Sequence, residues 1–277
     1  MTRSRCYSKT LCIAALLCAM AAPAYAELEI GMLNCHTDEQ VARGNDALAG
    51  VLAALDAAPN LDVLIAPEWL FVKEIAGKVS MLSIAETNAV LDTLAAKTKG
   101  RDTLVVPGTI AVSDGTHYFN RLPVLHNGEQ LLTYDKQSDG GDDAFARKNG
   151  LSWRAGERRG VFRWRGMNVG VEICADHSSA KLKYALRGKE TVDMHILISS
   201  GLGRYNPSVA TTDGLFLQCD GYYPHQEVLS IKGSRQTAIS PQRKAISLCP
   251  KISLTRFTVP GSDFVGKAER LSARATR

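Results

Sequence analysis

The spacing of hydrophobic positions changes period several times along the chain, and each change marks an element. Residues 28–33 (LEIGML) form a short apolar run with strand character. Thr37 with Gln40 three residues on reads as a capping box. It would open a helix whose apolar face is Val41, Leu48, Val51, Leu52 and Leu55, and Pro59-Asn60 would end it. Residues 62–66 are a buried-strand run leading into Pro67-Glu68-Trp69. Ser83 with Glu86 makes a second capping box, for a helix that stops at Gly100. Residues 103–106 and 109–112 read as strands separated by Pro107-Gly108.

The middle of the chain turns to hairpins. Residues 123–125 and 130–134 flank Asn127-Gly128, a strong hairpin signal, and Lys136 lies just past the second strand. Residues 138–150 are polar and rich in Gly and Asp, which predicts a loop. Residues 161–164 and 168–173 predict another hairpin around Arg165-Gly166. In its second strand Val169, Val171 and Ile173 alternate with Gly170 and Glu172, the two-residue period of a strand. That strand runs straight into Cys174, and a short helical pattern follows from Ser178 to Gly188. Residues 194–199 are again a buried-strand run. From 201 to 221 Gly, Pro, Thr and Asp are scattered without a period, although Phe216, Cys219, Asp220, Tyr222 and Tyr223 offer pocket-lining side chains. Residues 227–232 and 245–248 look like strands. Strands alternating first with helices and then with hairpins predict one α/β domain with a mixed sheet.

Composition adjusts this picture at the amino end. Arg3, Arg5 and Lys9 precede an uncharged apolar run, and Ala24-Tyr25-Ala26 is an A-x-A cleavage signal. Residues 1–26 therefore read as a secretory signal peptide, 27–265 as the folded domain and 266–277 as a basic tail. Cleavage would remove three positive charges and no negative ones, lowering the formal charge from +5 to +2. The basic balance then argues for no nucleic-acid partner. No run after the leader is long enough to span a membrane as a helix. The expected location is the periplasm or the exterior, where disulfides form. The processed chain would keep Cys35, Cys174, Cys219 and Cys249, whose spacing matches neither a zinc site nor a disulfide framework. With Cys174 free as a nucleophile, at most one pair forms among the other three, and the sequence does not choose it.

Three chemically competent side chains fall at or just past strand ends: Glu68, Lys136 and Cys174. In open α/β sheets that is where ligands bind. Their types fit one reaction, in which a thiolate attacks a carbonyl or nitrile carbon, a carboxylate moves the proton and an ammonium stabilises the developing negative charge. A cysteine at a strand-to-helix turn also has backbone N–H groups following it, suited to an oxyanion.

Pro67-Glu68-Trp69, Tyr134-Asp135-Lys136 and Glu172-Ile173-Cys174-Ala175-Asp176 resemble, in order and separation, the three signatures of the nitrilase (carbon–nitrogen hydrolase) superfamily. Pro107-Gly108-Thr109, Phe119-Asn120-Arg121 and residues 194–200 support the resemblance, which covers most of residues 28–200 and fades after Gly201. It implies a four-layer αββα sandwich, usually dimerised, and hydrolysis of a small non-peptide amide, or a nitrile, without metal or organic cofactor. It also implies Cys174 as the nucleophile that forms a thioester, with Glu68 as general base and acid. Lys136 and the Ala175 backbone N–H would stabilise the tetrahedral intermediate, and nearby charge would favour a reactive thiolate.

The chain departs from the pattern in three places, one of them the weak helical pattern after residues 194–199, where the resemblance implies a helix. Where many members carry a second glutamate, it offers Asp142 and Asp143, with Glu157 further on. After the cysteine it has Asp176-His177-Ser178-Ser179 in place of an Arg-Phe-Pro-Glu-like string, which makes His177 a pocket candidate. By strict alternation Glu172 shares a face with Cys174, which makes it a candidate for the site wall. Two alternatives to hydrolysis stand beside it: acyl transfer from the same thioester, and ligand binding without catalysis on the same fold.

Overall fold

The computed structural model describes residues 27–37, 40–41, 45–75, 78–187, 191–223, 225–242, 244–249 and 251–263. The leader expected at 1–26 and the tail expected at 266–277 lie outside the described residues.

Two sheets form the frame. In the first, the strands run in the order Ile246–Cys249, Ile252–Pro260, Glu27–Asn34, Val63–Ile65, Leu104–Val106, His117–His126, Ile110–Ser113 and Leu82–Ser83. Glu129–Asp135 adds to it as the hairpin partner of His117–His126. The second sheet runs Val161–Trp164, Met167–Ile173, Met194–Ser199, Asp213–Asp220, Gln226–Lys232 and Arg235–Ala238. At the centre of each sheet three strands are parallel and buried on both faces, which is why Val63–Ile65, Leu104–Val106 and Met194–Ser199 read as continuous apolar runs.

The layers follow from which side chains meet. Ile30, Met32, Val63, Ile65, Leu122 and Val124 of the first sheet pack against Val169, Val171, Ile196, Ile198, Leu217 and Cys219 of the second. The opposite face of the first sheet, with Leu33, Leu64 and Val105, is covered by helices α1 (Asn45–Ala57) and α2 (Ile84–Thr98). Val161 and Val192 of the second sheet's outer side meet Leu182 and Leu186 of a short helix, Lys181–Leu186. The result is the expected αββα sandwich. Among the described residues no helix is long and apolar enough to cross a membrane.

Several local expectations hold in detail. Ser83 Oγ accepts the Glu86 N–H at 3.3 Å while the Glu86 carboxylate accepts the Ser83 N–H at 2.8 Å. Asn127 and Gly128 both take positive φ, as a two-residue hairpin turn requires. Others are corrected. Thr37 and Gln40 cap no helix: they pair across a two-residue ladder, and α1 starts at Asn45. The loop expected at 138–150 contains a third helix, α3 (Asp142–Lys148), seated through Ala146 and Phe145 against Tyr118. The unpatterned stretch after 201 contains the fully ordered strand Asp213–Asp220, and Ile252–Pro260, which carried no expectation, lies antiparallel along Glu27–Asn34.

Phe257, on that unforeseen strand, is 1% exposed and sits between the two sheets. Phe257→Ala should therefore cost about 3–5 kcal/mol of unfolding free energy. Urea denaturation measures this, and a change below about 1 kcal/mol would place the side chain outside a close-packed core.

Candidate active site

Three turns at the carboxyl ends of strands converge. The first is Pro67-Glu68-Trp69, following Val63–Ile65. Trp69 takes φ 62°, a costly conformation for so bulky a residue, and its N–H donates to Thr109 Oγ1 at 2.8 Å. Its ring meets Phe145 edge-on at 4.6 Å. Gly108 lets the turn close: a Cβ there would lie 2.4 Å from the Pro67 carbonyl oxygen, and φ is +90°. Gly221, at the end of a second-sheet strand, makes another close approach, since a Cβ on it would sit 3.0 Å from Pro67 Cβ. The Glu68 turn is thus clamped between the two sheets.

The second turn brings Lys136 from the end of Glu129–Asp135. Its Nζ donates to Glu68 Oε1 at 2.7 Å and pairs with Asp142 Oδ2 at 2.8 Å. Asn120 Nδ2 donates to the same Glu68 oxygen at 2.9 Å and to Asp142 Oδ1 at 3.0 Å, and Tyr118 OH donates to Asp142 Oδ1 at 3.1 Å. Glu68, Lys136 and Asp142 are each at most 1% exposed. Of the acidic candidates, Asp142 alone joins this group. Asp143 faces outward on α3 and pairs with Arg147, and Glu157 is exposed.

The third turn carries Cys174. It sits at φ 44°, ψ −107°, between Met167–Ile173 and the single helical turn α4 (Ala175–Ser178). Strain of this kind is held only where the surroundings over-determine it. Here the Cys174 N–H donates to Ile198 O at 2.8 Å, and Asp176 ties α4 to the lysine turn. The Asp176 carboxylate accepts from Tyr134 OH at 2.8 Å, Gln137 N–H at 3.0 Å and Ser138 N–H at 2.6 Å. Burial nonetheless raises its pKa to about 6. Gly140 passes close by, so that a Cβ on it would lie 3.1 Å from both Ala175 Cβ and Lys136 Nζ. Cys174 is half-buried, its thiol hydrogen-bonds Glu68, and the Ser200 N–H faces its sulfur.

The charges fix the resting protonation. Burial opposes the Lys136 ammonium, but Glu68 and Asp142 outweigh it and keep the lysine protonated. Two carboxylates against one ammonium leave the group net negative. Burial and then the Glu68 charge push the Cys174 thiol up to about 12, against the pull of Lys136 and the Ser200 N–H. The nearby charge expected to favour a thiolate is therefore outweighed, and the sulfur rests as a thiol beside Glu68. Burial also raises the Glu68 carboxyl above its usual range, with Asp142 adding to the rise and Lys136 opposing it.

Glu172 and His177 form a second cluster, with His195. Glu172 Oε2 lies 2.9 Å from His177 Nδ1 and 3.0 Å from His195 Nε2, while Oε1 accepts the Leu182 N–H at 2.6 Å. The positive φ of Cys174 breaks the alternation that put Glu172 on its face, so these hydrogen bonds reach neither Glu68, Lys136 nor Cys174. Glu172 and His177 are thus corrected from wall and pocket residues to members of this outer cluster. The three donor atoms lie within 4.8 Å of one another, close enough for a metal ion. However, His177 Nε2 accepts the Tyr205 N–H at 3.2 Å and His195 Nδ1 accepts the Ala210 N–H at 3.1 Å. Each ring therefore turns a protonated nitrogen to Glu172, which suits a carboxylate and not a cation. His195 was no site candidate in the sequence, and Asp220, a pocket-lining candidate there, is a brace for the backbone. Asp220 accepts from Ser199 Oγ, the Gly201 and Leu202 N–H groups and the Tyr222 and Tyr223 N–H groups, which fixes both loops beside Ser200.

No family model and no curated protein matches the sequence. Solved structures do. An amidase from Nesterenkonia sp. superposes over 89% of this chain and 95% of its own, with TM-score 0.52 and 15% identity. Nit3 of Saccharomyces cerevisiae, from branch 10 of the nitrilase superfamily, covers 91% and 96% with TM-score 0.55 and 12% identity. A CN-hydrolase superfamily protein from Xanthomonas campestris, solved with an arsenic adduct in its active site, covers 91% and 97% with TM-score 0.54 and 14% identity. The fold is that of the nitrilase superfamily.

Asp142→Asn removes the second carboxylate and keeps the shape. The Glu68 pKa should fall, because Asp142 is one of the groups raising it. Carboxyl carbon NMR titration reads this directly, and an unchanged or higher Glu68 midpoint would contradict the arrangement.

Proposed function

We propose that this chain is a thiol-dependent amidohydrolase of the nitrilase superfamily that cleaves a small non-peptide amide and is exported after removal of residues 1–26. The observation that carries the reading is Cys174 on a strained turn beside the buried Glu68–Lys136–Asp142 group. The three matched motifs and the amidase fold of the neighbours support it.

The resting thiol dictates the order of events. Glu68 takes the Cys174 proton as sulfur attacks the amide carbon, so the charge that would be costly on a free thiolate passes to the substrate oxygen. Lys136 and the Ala175 N–H stabilise that oxygen. Glu68 then gives the proton to the leaving nitrogen, ammonia or amine departs, and a thioester remains. Water, deprotonated by Glu68, attacks the thioester and frees the acid and the thiol. Asp142 holds Lys136 in place and compensates its charge. Glu68 passes the proton taken from water to the departing sulfur, so the complete cycle returns Glu68, Lys136 and Cys174 to their starting forms.

Ammonia release from a panel of small amides and nitriles tests the reading. Cys174→Ala should abolish turnover, and Glu68→Gln should lower kcat by about 10²–10⁴-fold while the fold persists by circular dichroism. Because the base must be ionised and Glu68 titrates above the ordinary carboxylate range, activity should fall on acidification with a midpoint above 4.5. Ammonia release undiminished in Cys174→Ala would overturn the proposal, and hydroxamate formation exceeding hydrolysis when hydroxylamine is supplied would favour acyl transfer.

A further inference from the structure

The outer cluster lies on the far face of the strand that ends in Cys174. Glu172 and both rings are fully buried. Burial alone would raise the Glu172 carboxyl, but the hydrogen bonds from His177 and His195, with that of the Leu182 N–H, outweigh it and hold it at about 2. Glu172 is therefore an anion throughout the range in which imidazoles titrate.

The outward nitrogens have a different task. His177 Nε2 and His195 Nδ1 each accept a backbone N–H, from Tyr205 and Ala210. Both donors belong to the segment that follows Met194–Ser199 and begins with Ser200, whose N–H faces the Cys174 sulfur. Apart from a 3-10 turn at Asn206–Ser208, that segment has no regular structure. It is also anchored by Asp220 at Gly201 and Leu202, by Gln218 Nε2 at Leu202 O, by the ion pair of Arg204 with Glu227, and by Lys183 Nζ at Pro207 O.

We propose that Glu172, His177 and His195 are positioning residues forming a proton-operated clamp, which holds segment 200–210 beside Cys174 while both rings are neutral and releases it when either ring is protonated. The step is a single proton transfer from solvent. The proton can add only to His177 Nε2 or His195 Nδ1, because the inward nitrogens already carry hydrogens. An acceptor then becomes a donor facing another donor, the Tyr205 or Ala210 N–H, and that hydrogen bond is lost. The ring keeps its bond to Glu172, so the cluster survives while the segment comes free.

The surroundings leave the rings to this chemistry. Glu172 on Met167–Ile173 is the charged group facing both rings. From Asp213–Asp220 the neighbour is Phe216, 5.1 Å from His195 and 5.7 Å from His177. From Lys181–Leu186 it is the Leu182 backbone, with Lys181 exposed and Lys183 engaged at Pro207. On α4, Asp176 is turned to Tyr134. Burial and the neighbouring His177 depress the His195 pKa, and Glu172 opposes them. Release at His195 is therefore expected below the ordinary imidazole value of 6.5. The sign follows: the neutral ring's contribution is complete above 6.5 and is lost as pH falls towards the depressed value.

The segment's release stands apart from the proposed function, whereas its effect on Cys174 chemistry rests on that reading. The purified protein tests both. Ring-nitrogen NMR at pH 7.5 should show two neutral imidazoles, protonated at Nδ1 in His177 and at Nε2 in His195. Hydrogen exchange of the Ala210 amide, corrected for the intrinsic rate, should then accelerate as pH falls below 6.5 by up to about tenfold per pH unit, while Leu217 stays protected. His195→Asn keeps an acceptor near Ala210 that does not titrate, so it should flatten the Ala210 response. Should that variant misfold, the wild-type ring spectra and exchange series decide alone. A cationic ring at pH 7.5, the opposite tautomers, exchange that is flat across the window, or a stoichiometric metal ion in the protein would each overturn the clamp. Acid-triggered exchange without amide hydrolysis would support the clamp and count against the amidase reading. Hydrolysis with flat exchange would do the reverse.

Discussion

The Lys136 ammonium between two carboxylates is the interaction on which the rest of the structure depends. Three ionised groups with almost no solvent contact carry a desolvation cost of several kcal/mol each unless their geometry is close to ideal. Here Glu68 and Asp142 stand at 2.7 and 2.8 Å on either side of the nitrogen, and Asn120 spans the two carboxylates from a third strand. With either acid alone the lysine would form a neutral pair. Keeping both leaves an excess negative charge at the place where a thiol must ionise. The same arrangement that makes the lysine permanent makes a resting thiolate expensive. It favours chemistry in which sulfur loses its proton only as the new bond forms.

The architecture supplies what that ionic group requires, which is positions fixed to fractions of an ångström. The lysine arrives on a hairpin of the first sheet, the cysteine on a parallel strand of the second, and the glutamate on a turn between them. Glycines 108 and 221 let the glutamate turn touch both sheets. Buried aspartates act as struts at the margins: Asp176 joins the cysteine helix to the lysine turn, and Asp220 joins the two loops past the second sheet. Each uses several backbone N–H groups as donors, so the loops are fixed by main chain, and the side-chain identities along them are left free.

Elements with a period, and residues with distinctive chemistry at strand ends, were legible in the sequence. Val169, Val171 and Ile173 announced their strand, Asn127-Gly128 its hairpin, and Glu68, Lys136 and Cys174 stand together as the motifs implied. The misses have physical causes. The strand Asp213–Asp220 is buried on both faces, and Gln218 and Asp220 are satisfied internally, so neither alternation nor polarity marked it. Along Ile252–Pro260 the alternation slips at Thr255-Arg256, which hides the period. Helix α3 is too short for a helical pattern, and its Gly-Gly-Asp-Asp opening reads as a turn, although that opening delivers Asp142 to Lys136. The Thr37–Gln40 match shows the converse, since two residues at the right spacing satisfy a capping pattern without a helix to cap.

Glu172 marks the limit of reasoning from alternation. The two-residue period places it on the face of Cys174 only while the backbone stays extended, and Cys174 itself leaves the extended region. One strand consequently serves two sites: its carboxyl end presents sulfur towards Glu68, and its outer face presents a carboxylate to two imidazoles. The two are joined through the chain on either side of them. His177 lies three residues past the nucleophile, and His195 lies on the strand whose end supplies Ile198 O and Ser200 N–H to Cys174. The outer cluster and the nucleophile are thereby connected through backbone. The turn after the cysteine is thus held from two sides, by Asp176 towards the lysine turn and by His177 towards segment 200–210.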